Sequence, residues 1–70
     1  MNTTTEAFKK FIEEQFEGNY NKCARSLELA PSTIWRIANG NGGPGIKVVT
    51  NIIKYCKRKN IKYDKYINLS

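Results

Sequence analysis

Seventy residues make one domain, and a domain this short buries only about 60% of the surface its unfolded chain exposes, which leaves no room for a deep enzyme cleft. The chain has no histidine and two cysteines, so it lacks the commonest general base and cannot complete a typical zinc site. Its net charge of +6 is polarised: residues 1–28 hold four bases against five acids and residues 29–70 eight bases against one acid, Asp64, a surplus that suits a polyanionic partner.

No apolar run approaches the roughly 20 residues of a transmembrane helix. The first residues do not read as a basic-then-apolar export signal. A cytoplasmic protein is therefore expected, with Cys23 and Cys56 as reduced, mostly buried thiols. No cofactor and no metal is expected.

Thr3 and Glu6 stand at capping-box spacing and predict a helix that starts near Thr4. Phe8, Phe11, Ile12 and Phe16 recur at helical intervals as one apolar stripe, with Glu13, Glu14 and Glu17 off it. Gly18 is expected to end that helix and Asn19 to cap the next, which runs to about Leu27. Glu28 to Ala30 form a turn. The third helix spans Pro31 to Asn39, because proline's fixed φ and missing N–H suit a first helical turn and Gly40 supplies a left-handed stop. Ala24 and Leu27 share one face of the second helix, and Ile34 and Ile37 one face of the third; Ala24 is small enough for a close crossing.

Residues 39–45 are too rich in Asn, Gly and Pro for regular structure. A fourth helix is expected from about Gly45 to Lys59, with Ile46, Val49, Ile53 and Cys56 on one face and Val48, Ile52 and Tyr55 widening it. Ile61 to Leu69, carrying Tyr63, Tyr66 and Ile67, reads either as a short fifth helix or as a strand-like tail that packs against the body. The width of the fourth helix's apolar face and these tail residues leave open a homodimer seam within 46–69. There is no internal repeat. The fold class is an all-α, compact bundle of four to five short helices.

Residues 20–39 within this bundle read as a helix-turn-helix, a motif that places its second helix in the major groove of DNA. From Cys23 to Pro44 the chain resembles the Cro/lambda-repressor family of phage helix-turn-helix regulators. The matching residues are Ala24, Leu27, Leu29, Ile34, Ile37, Asn39-Gly40, and Pro44 ahead of an apolar helix. The flanking helices extend the likeness over most of residues 4–60. The resemblance implies that Pro31, Ser32, Thr33, Trp35 and Arg36 face the bases, and that Tyr20, Asn21, Asn39 and Lys47 approach phosphates. The chain departs from the family at two places. Glu28 stands where a glycine is frequent in the turn. Pro31 stands where glutamine or another reader is frequent, and it can only pack, for instance on a thymine methyl.

Single residues carry competing readings. Arg36 suits guanine through two parallel hydrogen bonds, or a phosphate, or solvent. Trp35 either contacts DNA or folds back as a core or dimer residue. Ser32 and Thr33 either bind a base or a phosphate, or cap the first turn of the third helix. The run Lys54, Lys57, Arg58, Lys59, Lys62 and Lys65 is either a solvated face or a source of long-range attraction to DNA. An enzyme is not expected: there is no nucleophile–base pair, and the Gly40–Gly45 loop lacks a P-loop's strand and lysine. The expected function is a sequence-specific transcriptional repressor that binds double-stranded DNA as a homodimer and occludes a promoter. The competing expectation is a protein–protein module that joins a larger repressor or a toxin.

Overall fold

The computed structural model describes residues 3–67. Four α-helices follow one another: α1 (Thr5–Phe16), α2 (Tyr20–Leu27), α3 (Pro31–Ala38) and α4 (Ile46–Arg58); a single 3-10 turn, Tyr63–Lys65, comes last. No strand occurs among the described residues, so the protein is an all-α bundle of short helices.

Local chemistry sets the helix ends. The Thr4 hydroxyl accepts the Ala7 N–H at 3.0 Å, and the Asn19 side-chain carbonyl accepts the Lys22 N–H at 3.0 Å. The first cap thus falls on Thr4. Thr3, expected to pair with Glu6, instead donates its hydroxyl to the Tyr66 carbonyl. At the other end α1 stops one residue earlier than its glycine suggests: Glu17 already has φ 54°, and Gly18 follows at 79°. Glu28 (φ 59°), Gly40 (77°) and Asn60 (61°) end α2, α3 and α4 in the same left-handed way. Each is followed by a residue whose N–H reaches five back: Leu29 to Ala24, Asn41 to Arg36 and Ile61 to Cys56, at 2.8–2.9 Å. A left-handed residue other than glycine costs about 1–2 kcal/mol, and the hydrogen bonds gained at each helix end offset it.

The core is organised around Phe11, which is fully buried. Its ring lies 6.2 Å from Phe8 and 5.6 Å from Phe16 on the same helix, 5.6 Å from Tyr55 of α4 and 5.1 Å from Tyr66 of the tail, centroid to centroid. Three of these four pairs are edge-to-face, the arrangement that the ring quadrupoles favour. Ala24, Leu27, Ile34 and Ile37 are buried, as their spacing requires.

On α4 the buried face is Val48, Val49, Ile52, Tyr55 and Cys56; Ile53 is half-buried and Ile46 is 83% exposed. The stripe is therefore rotated away from the Ile46–Ile53 edge that periodicity suggests. Tyr66 and Ile67 are core residues, which removes them from any dimer seam; the tail packs against the body with one short 3-10 helix, Tyr63–Lys65, and no strand among its described residues. Leu69 lies outside the described residues. The Tyr66 hydroxyl donates to Glu14 at 2.5 Å and accepts from Gln15 Nε2 at 3.1 Å. That hydrogen bond holds the Glu14 carboxyl below its usual range, helped by the charges of Lys65 and Lys10. Asn51 of α4 donates its side-chain amide to the Leu27 carbonyl at 3.0 Å, closing the last turn of α2.

Cys23 and Cys56 are free and fully buried. Burial pushes the Cys23 thiol up to about 12, from an ordinary value of 9.0, and raises Cys56 as well.

Phe11→Ala should cost about 3–5 kcal/mol, comparable to the whole stability of a domain this size, and abolish the cooperative urea transition at 25 °C. Phe11→Leu should keep a weakened transition; an alanine variant as stable as the parent would show that the aromatic hub carries little. The thiol gives a second expectation. Because the folded value lies above the unfolded one, its contribution is intact below about pH 9. It falls as pH climbs from 9.0 toward 12, by up to about 1.4 kcal/mol per pH unit. Urea titrations at pH 8 and 10.5 should show a smaller pH loss in Cys23→Ala than in the parent.

Candidate nucleic-acid interface

Three residues, Glu28, Leu29 and Ala30, join α2 to α3, and these two helices make the most extensive contact of any pair. Leu29 is half-buried against the core. With Ile34, Ile37 and Ala38 facing inward, helical geometry turns Pro31, Ser32, Trp35 and Arg36 outward as one stripe that Asn39 extends. All five are exposed, Trp35 by 54%, so the indole is not a core residue. Thr33 is half-buried on the flank of that stripe. Asn39 donates its side-chain amide to the Trp35 carbonyl at 2.8 Å and so helps close α3.

The four residues proposed for phosphates come from three elements. Asn21 is exposed in the first turn of α2, beside a half-buried Tyr20 that packs on the core. Asn21 and Pro31 line one hollow between α2 and the start of α3, together with Ala24, Leu29 and Arg25. Arg25 is an addition to the sequence-derived set. Its only signal is its place four residues after Asn21, one turn along the same face. Lys47 is exposed in the first turn of α4 and does not line this hollow.

The helix starts differ in charge. Thr4 caps α1, and Glu6 in its first turn answers the helix dipole. None of α2, α3 and α4 has an acid in its first turn; α3 and α4 have no side-chain cap at all, and α4 places Lys47 there. First-turn N–H groups with no carboxylate beside them favour an anion from outside. Among the described residues the one ion pair is Lys65–Glu14 at 3.5 Å, so Arg25, Arg36 and Lys47 have no carboxylate partner there. Part of the basic run has a structural use: Lys54 and Arg58 line a cleft with Ser26, Leu27 and Glu28, where cations offset the negative end of α2. The Arg58 guanidinium also lies 5.8 Å from the centre of the Tyr55 ring.

No group of three or more His, Cys, Asp or Glu that could hold a metal occurs among the described residues. Among the described residues no helix is long and apolar enough to cross a membrane.

Because Arg36 is exposed and pairs with no acid among the described residues, Arg36→Ala should change the unfolding free energy by less than about 0.5 kcal/mol in urea titration, which makes it a clean probe of the exposed face. A larger loss would mean that the guanidinium supports the fold. Compared with family models, curated proteins and solved structures, the chain matches none.

Proposed function

We propose that the protein is a small sequence-specific DNA-binding regulator of the Cro/lambda-repressor kind, acting in the cytoplasm as a repressor that occludes a promoter. One observation carries the reading. The second of two tightly packed helices joined by a three-residue turn turns a continuous stripe of Pro31, Ser32, Trp35 and Arg36 outward, and no carboxylate pairs with its arginine. A major groove admits one α-helix, and a guanidinium there meets guanine O6 and N7 in two parallel hydrogen bonds. In this reading Asn21, Arg25 and Lys47 neutralise phosphates from helix starts and flanks, with Tyr20 and Asn39 beside them. Two copies occupy half-sites about one helical turn apart.

A second reading, a module that joins a larger repressor or a toxin, is favoured by the 83% exposed Ile46 and by proline at a reading position. One titration separates the two. Fluorescence of Trp35, the only tryptophan, should be quenched by the duplex upstream of the protein's own gene and not by a scrambled duplex at about 150 mM salt. Affinity should fall steeply as salt rises, through counterion release. Arg36→Ala should weaken specific binding by about 5- to 150-fold. Equal, weak responses to both duplexes would favour the protein-partner reading.

A further inference from the structure

The exposed stripe of α3 is unusual in what it lacks. Arg36 is its one cation and Ser32 its one hydroxyl; Pro31 has no polar side-chain atom, and Trp35 has a broad ring with a single N–H donor. Among the described residues only Trp35 and Ile46 are large hydrophobic side chains left exposed. The fold does not need Trp35 in that position, because Ile34, Ile37 and Ala38 already seal α3 to the core.

The floor of the major groove offers one apolar group, the C5 methyl of thymine. An apolar side chain set over cytosine or adenine would cover an amino donor and leave it without a partner, which is penalised. Pro31 and Trp35 are four residues apart, one turn along the same face and about 6 Å along the helix axis. Base pairs stack about 3.4 Å apart, so that distance spans about two steps when α3 lies along the groove. Arg36 follows Trp35 directly, and its guanidinium suits a guanine beside the second of these positions.

We infer, resting on the DNA reading above, that the half-site is defined by two thymine methyls about two base pairs apart, one under Pro31 and one under Trp35, with a guanine next to the latter read by Arg36. Apolar contact with methyls replaces most of the hydrogen-bond readout. Ser32, lying between, accepts more than one base.

The test uses the full chain and a pool of random-sequence duplexes. The enriched duplex is then remade with deoxyuridine in place of thymidine, one position at a time, which removes only the methyl and leaves the hydrogen-bonding edges unchanged. Two positions about two base pairs apart should each lose about three- to fivefold in affinity. Trp35→Ala should erase the loss at one of them and Pro31→Ala the loss at the other. Deoxyuridine tolerated at every position, or losses that persist in both variants, would overturn the inference and leave the DNA reading standing. A pool from which nothing enriches would remove the DNA reading, and this inference with it.

Discussion

Phe11 sits where three parts of the chain have to meet. Its ring contacts Phe8 and Phe16 of its own helix, Tyr55 of α4 and Tyr66 of the tail, and no part of it reaches solvent. Tyr55 fixes how α4 lies. From α4, Asn51 reaches the Leu27 carbonyl and fixes the end of α2 at the residue before the turn. The turn then has one arrangement in which Leu29 stays half-buried and Ile34 and Ile37 stay dry. The exposed face of α3 thus inherits its placement from the direct packing of α3 on α1 and α2, within a core that the Phe11 cluster helps to close.

That inheritance divides the molecule by chemistry. Four of the six acids lie on α1 or at its end, and one of them, Glu14, is held by the Tyr66 hydroxyl and Lys65. The helices that start without acids are the three that follow. Side chains borne on helices locked by packing keep their positions better than side chains on loops, and the exposed stripe of α3 is of the first kind.

Much of this was legible in the sequence because the signals were redundant. The α2–turn–α3 segment is marked by Asn19 as cap, Pro31 as first helical residue, Gly40 as stop and four apolar positions in register, and each agrees with the others. The exposed stripe of α3 could be read by subtraction once its inward residues were known. Where one signal stood alone, it misled. Gly18 is the usual kind of helix stop, yet Glu17 takes the left-handed conformation first. On α4 two overlapping stripes share Val49 and Cys56, and the positions of α2, the tail and the α1 aromatic rings decide which one is buried; Ile46 is left exposed. The tail's apolar residues are too few to choose between a short helix and a strand-like tail, so the burial of Tyr66 and Ile67 is settled by tertiary packing. Arg25 escaped notice because an arginine on a helix reads as ordinary surface until a neighbouring element creates a hollow beside it.

The bond between Thr3 and the Tyr66 carbonyl joins residues 63 positions apart. With Tyr66 and Ile67 among the buried side chains, the core lacks its last pieces until residue 67 has emerged from the ribosome. The α2–α3 pair is made well before that, but the aromatic cluster cannot close until Tyr66 is present. Closure of the core therefore waits for residues 66 and 67. Until then Phe11 remains open to solvent, which makes the interval between translation and closure the time when a protease or chaperone can act on this chain.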